Sequence, residues 1–135
     1  MLPIREEVLG WKSKWFQEAL ASAATVLRGG RRIKIVSAPY FVILKLEAFE
    51  ERGKRDFVGS TDFEDIICLF NGRETIVDEI AADKAVGAFL AAKMKAYLAS
   101  PDLEYAVEGF VQTEDDPEKR MAVILERFRK VAELA

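Results

Sequence analysis

The sequence contains no histidine, and this absence removes several kinds of active site at once. Histidine is the commonest general base near neutral pH and the usual nitrogen ligand of zinc, and it activates the nucleophile in Ser-His and Cys-His arrangements. Any catalysis by this chain must therefore use carboxylates, lysine, arginine, hydroxyl groups or a metal bound through oxygen.

Cysteine is almost as scarce, because Cys68 is the only one and cannot form an intrachain disulfide. It lies in the apolar run IICLF, which predicts a small buried side chain rather than a nucleophile. No apolar stretch approaches the roughly 18 residues of a membrane span, and the acidic N-terminal segment does not resemble a secretory signal. We therefore expect a cytoplasmic protein that does not bind membranes.

The chain also lacks an excess of positive charge. Its 20 lysines and arginines are outnumbered by 23 acids, so its formal net charge is −3. This balance does not predict a nucleic-acid-binding surface, but it does not exclude binding of a small ligand that carries phosphate. With 135 residues, half of them hydrophobic, the chain is expected to form one domain around a single core.

The remaining residues contain clear signals for one hairpin. Gly29-Gly30 separates ATVLR from RRIKIVS, and a Gly-Gly pair between β-branched residues predicts a two-residue turn joining strands 24–28 and 31–37. A short helix is predicted before the hairpin from the spacing of Trp11, Trp15, Phe16 and Leu20.

Helices are predicted for most of the chain after the hairpin. Pro39 suits the first turn of one helix, and Thr61 with Glu64 resembles a capping box at the start of the next. The predicted helices cover about residues 39–51, 62–70, 73–82 and 84–99, with a short helical turn from Pro101 and a last helix capped by Asp115-Asp116-Pro117.

These patterns predict an α+β fold that is mostly helical, with a small β-hairpin near the N-terminus followed by a helical bundle. The single domain of residues 1–135 divides into three parts. They are the N-terminal helix and hairpin (1–37), the next helices (38–82) and the C-terminal helices (83–135).

Four charged residues on the first two of these helices could form a site. Lys45 and Arg52 share one face of helix 39–51, whereas Asp62 and Asp65, three residues apart, share a face at the start of the next helix. The acids are close enough in sequence to fold back on the cations. One interpretation is an ion-pair cluster that only holds helices together, and the other is a phosphate-binding lysine beside acids that position it. The residue pattern alone does not choose between them.

The same segment resembles a known family. The run VSAPYFVILKLEAFEERGKRDFVGSTDFEDIICLFNGR is similar to a characteristic segment of the abortive-infection nucleotidyltransferase-like toxins, the AbiEii/AbiGii family. The upstream VLGWKSKWFQEAL is similar to what precedes that segment. The likeness covers about residues 6–80, and its most specific parts are K-L-x-A-F-x-x-R-G-x-x-D and S-x-D-x-E-D-I.

The resemblance implies a function and a role for each of the four residues. It implies that Lys45 and Arg52 bind the nucleotide and that Asp62 and Asp65 support catalysis. Proteins of this family transfer a nucleotidyl group from a nucleoside triphosphate, with Mg²⁺ and in some cases to RNA, and act as toxins paired with an antitoxin. The fold implied is the C-terminal half of a polymerase-β-like nucleotidyltransferase.

The chain departs from the family in one respect. The polymerase-β-like fold carries a Gly-Ser turn and two metal-holding acids, D-x-D or D-x-E, before the similar segment, and this chain starts too late to contain them. Gly59-Ser60 is not a substitute, because Asp62 follows only two residues later on a predicted helix. No metal ligand is therefore predicted in this chain. Without such acids, the nucleotidyl transfer reaction lacks the metal ions that hold the triphosphate.

The expected protein is a nucleotidyltransferase-like chain that is inactive alone and acts with a partner. The partner would be a separately encoded N-terminal half or an antitoxin. The alternatives are a non-catalytic interaction or antitoxin-like protein on the same scaffold, in which a homodimer is one option, and a structural remnant in which the charged residues only join helices.

Overall fold

The computed structural model describes residues 15–134 and has the mostly helical α+β fold expected from the sequence. Its elements are α1 (Phe16–Ser22), β1 (Ala24–Arg28), β2 (Arg31–Ile35), α2 (Ala38–Glu51), α3 (Thr61–Gly72), α4 (Ile76–Ala81), α5 (Lys84–Leu98), α6 (Pro101–Phe110) and α7 (Pro117–Ala132), with a 3-10 turn at Val111–Thr113. None of the helices in this part of the chain is long and apolar enough to cross a membrane.

The predicted hairpin is confirmed as a two-stranded antiparallel ribbon. Gly29 and Gly30 have φ values of 55° and 77°, which match a two-residue turn with both central residues in the left-handed region. The second strand ends at Ile35, two residues earlier than predicted. The reason is that Val36 leaves the strand and is buried in the helical body, and Ser37 is already the N-cap of α2.

The helical body is built around α2, α3, α5 and α7. α2 packs against α3, and α7 packs against α5 as well as α3 and α6. A large hydrophobic core lies between these helices, and its largest fully buried side chains include Phe49, Phe63, Phe70 and Phe128.

An aromatic cluster fixes how α2 meets α3. The ring centroids of Phe49 and Phe63 are 4.9 Å apart, and Phe57, from the loop between the two helices, lies 5.0 Å from Phe49 and 4.9 Å from Phe63. Tyr97 of α5 contacts Phe57 edge-on at 5.2 Å. Contacts of this kind hold the C-terminal end of α2 beside the N-terminal end of α3.

Several local predictions need correction. The N-cap of α3 is Ser60, whose Oγ accepts a hydrogen bond from the Phe63 backbone N–H at 3.2 Å, so Thr61 is not the cap. α3 also continues to Gly72, two residues beyond its predicted end at residue 70. The helix predicted for 73–82 is shorter, at Ile76–Ala81, and the turn predicted at Pro101 is a ten-residue helix.

Two further predictions concern single side chains. Cys68 is exposed and not buried, because α3 directs its neighbours Ile66, Ile67 and Phe70 into the core and leaves position 68 on the outer face. In the predicted N-terminal helix, the structure confirms the part that begins at Phe16, whereas Trp11 lies outside the described residues.

Candidate functional site

The structure brings the four predicted charged residues together where α2 packs against α3. Lys45 Nζ lies 2.8 Å from Asp65 Oδ2 and 3.5 Å from Asp62 Oδ1. Arg52 donates two hydrogen bonds to Asp62, from Nε to Oδ2 and from Nη2 to Oδ1, both at 3.0 Å. We refer to Lys45, Arg52, Asp62 and Asp65 as the Lys45 cluster.

Local helix geometry explains this meeting. Lys45 and Arg52 are seven residues apart, close to two helical turns, so both side chains lie on the side of α2 that faces α3. Asp62 lies in the first turn of α3, where the unpaired backbone N–H groups favour negative charge, and Asp65 follows three residues later on the same face. The aromatic contacts of Phe49 and Phe63 hold the two helix ends at the distance that the ion pairs need.

Asp62 is the buried member of the cluster. Only 4% of the residue is exposed, although it carries a carboxylate. Burial alone would raise the pKa of this carboxyl, but the hydrogen bonds and charge of Arg52, followed by those of Lys45, outweigh burial and hold the pKa below its usual range. The two hydrogen bonds that Arg52 donates to Asp62 raise the pKa of Arg52 in turn.

Lys45 and Asp65 form the solvent-facing side of the cluster. The Lys45 side chain is 18% exposed and Asp65 is 47% exposed. The Lys45 Nζ also lies 5.7 Å from the centre of the Phe41 ring, close enough for a cation–π contact. The ammonium group is therefore held from three sides and reaches solvent next to Asp65.

The Lys45 cluster does not suit a magnesium ion. Its two carboxylates face two cations, and both oxygens of Asp62 already accept hydrogen bonds from Arg52. Mg²⁺ is bound through oxygen ligands that are free to coordinate it. Within residues 15–134, no group of three or more Cys, Asp or Glu side chains is arranged to hold a metal ion.

A second ionic site was missed from the sequence. Glu50, on α2, accepts hydrogen bonds from Lys93 Nζ at 2.6 Å and from the Tyr97 hydroxyl at 2.5 Å, beside a cavity of about 250 Å³. The partners are 43 and 47 residues away in sequence, so no local spacing could predict them. In the sequence, Glu50 stands out only as a member of the acidic pair Glu50-Glu51.

The Glu50 site has its own electrostatics. Burial acts to raise the pKa of Glu50, but the hydrogen bonds from Lys93 and Tyr97 and the nearby positive charges prevail, and the pKa is lowered. Burial, together with the hydrogen bond to Glu50, raises the pKa of Tyr97 far above its ordinary value. Tyr97 therefore remains a hydrogen-bond donor to an ionised Glu50 at neutral pH.

An open cavity of about 440 Å³ lies between the α2–α3 loop and α6. Two of its lining residues, Val58 and Tyr105, are large hydrophobic side chains that are 66% and 64% exposed. Glu64 and Glu114 add acidic groups to the lining. The cavity is distinct from the Lys45 cluster, because it contains none of those four residues.

Comparison with known proteins adds no relative. No protein-family model, curated protein or solved structure matches this chain.

Proposed function

We propose that this chain is a nucleotidyltransferase-like protein of the abortive-infection toxin type, and that the Lys45 cluster binds the phosphates of a nucleotide. The observation that carries the proposal is the meeting of Lys45, Arg52, Asp62 and Asp65 at a solvent-facing edge of the α2–α3 contact. These are the four residues that the family resemblance singles out.

The ion pair between Lys45 and Asp65 is suited to exchange for a phosphate. Asp65 is half-exposed, and pairs of this kind contribute only about 0–1 kcal/mol to stability. A triphosphate carries more charge and more acceptor oxygens than one carboxylate, so it can displace Asp65 from the ammonium group. Lys45 would stay in place during this exchange because Asp62 and the Phe41 ring hold it from the other sides.

In this proposal the other two residues of the cluster, the buried Asp62 and the exposed Arg52, have different roles. Asp62 positions Lys45 and Arg52, because both of its oxygens are committed to them. The Arg52 side chain is 47% exposed and places a second positive charge beside the phosphates. The catalytic roles that the resemblance implies for Asp62 and Asp65 stay predictions.

We further propose that nucleotide transfer requires a partner that carries the metal-binding acids. The family resemblance places those acids in a segment ahead of the similar run, and the Lys45 cluster does not suit Mg²⁺. Magnesium therefore enters this proposal only as the ion that accompanies the nucleoside triphosphate. The partner would be an N-terminal half or an antitoxin, and the chain alone would transfer no nucleotide.

Calorimetric titration tests the binding step. The wild-type chain would be titrated with the magnesium complexes of ATP, GTP, CTP and UTP, and so would the Lys45→Met variant, in which the apolar length of the side chain is kept. We expect at least one nucleotide to bind and the variant to bind it at least about tenfold more weakly, the loss typical of one charge-assisted contact.

Lys93→Met is the matched control. Lys93 is also half-buried, pairs with a carboxylate at 2.6 Å and lies 5.6 Å from a phenylalanine ring. Its surroundings are therefore of the same kind as those of Lys45, but it lies outside the Lys45 cluster. Equal losses in both variants, or destabilisation of Lys45→Met with unchanged binding, would mean that Lys45 has only a structural role. Transfer of label from a nucleoside triphosphate by this chain alone would contradict the need for a partner.

A non-catalytic interaction protein is the second candidate. The specific observation in its favour is the cavity between the α2–α3 loop and α6, where Val58 and Tyr105 expose large apolar surfaces. Exposed hydrophobic surface around a cavity is typical of interaction sites. Failure of all four nucleotides to bind the wild-type chain would favour this candidate over the first.

A further inference from the structure

The ribbon, which we define as residues 24–35, has a net positive charge in a chain that is acidic as a whole. It carries Arg28, Arg31, Arg32 and Lys34 and no acid. No acid occurs anywhere between Glu18 and Glu47, although the chain has 23 of them. Because the whole chain has a formal charge of −3, the part outside the ribbon has a charge of −7.

The strand register places these cations on both faces of the ribbon. Arg28 pairs with Arg31 next to the turn, on the face that also carries Val26 and Ile33. On the other face, Arg32 is opposite Leu27, and Lys34 is opposite Thr25. The end of the ribbon is therefore surrounded by guanidinium groups.

The four cations are available to a ligand. All four residues are exposed, and none of them forms an ion pair with another residue in the described range 15–134. By contrast, Lys45, Arg52 and Lys93 on the helical body are each bound to a carboxylate. Within residues 15–134, the charge of the ribbon is therefore not neutralised by ion pairs.

The base of the ribbon is anchored, and its end is not involved in the core. Val36 directly follows β2 and packs in a small buried cluster with Ala19 of α1 and Leu44 of α2. Leu27, near the turn, is 72% exposed. The ribbon is thus a basic projection presented by the helices.

We propose that the ribbon binds the phosphate backbone of a nucleic acid duplex. A two-stranded antiparallel ribbon has the width to enter a duplex groove, and arginine and lysine side chains on both of its faces can then reach phosphates. The net negative charge of the remaining chain disfavours contact with the same polyanion, so we expect the ribbon to make the main contact. This function goes beyond nucleotide binding by the Lys45 cluster and does not depend on it.

The shape of the ribbon favours a nucleic acid over an anionic membrane. The turn consists of Gly29 and Gly30 between two arginines, so it has no apolar side chain to insert into a bilayer. Val26 and Ile33 are partly buried, and Leu27 is the one large hydrophobic side chain of the ribbon that is exposed. A charged end with little apolar surface fits a phosphate backbone better.

Fluorescence anisotropy with labelled DNA and RNA duplexes of about 24 base pairs tests this proposal, over about 20 to 200 mM salt. Four phosphate contacts predict that the logarithm of the binding constant falls with the logarithm of salt concentration with a slope of about −3 to −4. In the double variant Arg31→Glu, Arg32→Glu we expect a slope of about −2 or shallower and at least about tenfold weaker binding at low salt.

The double variant Lys84→Glu, Lys119→Glu is the matched control. It changes the net charge by the same amount, at exposed positions in the first turns of α5 and α7, where a glutamate is tolerated by the helix. We expect it to bind like the wild type, which would show that the position of the charge matters and not the total. Circular dichroism would confirm that both variants are folded.

Three results would overturn the proposal. The first is that the wild type binds neither duplex at the lowest salt concentration. The second is that binding is weakened equally in the two double variants. The third is that Arg31 and Arg32 mediate binding to anionic lipid vesicles, while neither duplex is bound. Retention of duplex binding by Lys45→Met would show that the ribbon acts independently of the nucleotide-binding proposal.

Discussion

At the scale of single residues, Asp62 decides how the Lys45 cluster is built. A buried carboxylate is tolerated only when it is paired and hydrogen-bonded. Here Arg52 supplies two hydrogen bonds and Lys45 a third contact. Asp65 belongs to the same cluster but is half-exposed and contacts Lys45 alone among the cluster's cations. The two acids therefore differ in what they contribute to stability.

We expect Asp62→Asn to lower the free energy of unfolding by about 1–3 kcal/mol, because it removes a buried charge from two cations that remain behind. Asp65→Asn should cost less than about 1 kcal/mol, since its ion pair is largely solvated. Urea denaturation of the two variants and the wild type measures both values. Equal costs would mean that the burial of Asp62 has no energetic consequence.

At the scale of elements, α3 carries both acids, and both of its ends are fixed. Ser60 caps its N-terminus. At its C-terminus, Arg120 and Arg127 of α7 donate hydrogen bonds to the backbone oxygens of Phe70 and Asn71, at 2.6 Å for the shortest contacts. These bonds satisfy carbonyl groups that a helix end otherwise leaves open. The position of Asp62 and Asp65 therefore depends on contacts at both ends of α3.

We expect Ser60→Ala to lower the free energy of unfolding by about 0.5–2 kcal/mol, because it removes the hydrogen bond to the Phe63 N–H. Thr61→Ala is the natural control, since Thr61 is exposed and is the first helical residue rather than the cap. Its cost should be within about 0.5 kcal/mol of zero. Thermal and urea unfolding would measure the free energy of unfolding of both variants. A larger decrease for Thr61→Ala than for Ser60→Ala would mean that Thr61 is the N-cap.

At the scale of the whole molecule, ionic and apolar contacts are combined around the large hydrophobic core. The Lys45 cluster and the Glu50 site both involve α2, on either side of the aromatic contacts made by Phe49. Each site contains a carboxylate whose pKa is lowered by cations or hydrogen-bond donors from another helix. Packing of the helices and ionisation of these two acids are therefore linked.

This linkage predicts how stability depends on pH. The pKa values of Asp62 and Glu50 are lower in the folded protein than the value of about 4 expected in the unfolded chain. Their contribution is fully present above pH values of about 5 and is lost as the pH falls through the folded-state pKa values, because the unfolded chain binds protons first.

Urea denaturation at a series of pH values between about 7 and 3 measures this loss. We expect the free energy of unfolding to decrease more steeply below pH values of about 4.5 in the wild type than in Asp62→Asn, which lacks one of the two groups. Parallel pH profiles for the two proteins would show that Asp62 does not contribute to the acid sensitivity.

Local signals in the sequence determined the order and type of the elements. The Gly-Gly turn, the first-turn prolines and the apolar periodicity act over a few residues, and the ribbon and helices that they predict are present in the structure. The spacing of Lys45 with Arg52, and of Asp62 with Asp65, also placed each pair on one helix face before any tertiary contact was known.

Only the tertiary structure decided which of these side chains are buried and what they contact. It selected Asp62 over Asp65 as the buried acid, joined Glu50 to Lys93 and Tyr97 across more than 40 residues, and left Cys68 exposed. It also left the cations of the ribbon without ionic partners in the described range, a surface that the net charge of the chain did not predict. The physical reason is that helix periodicity defines faces, whereas the face that turns inward is set by packing against elements far away in the sequence.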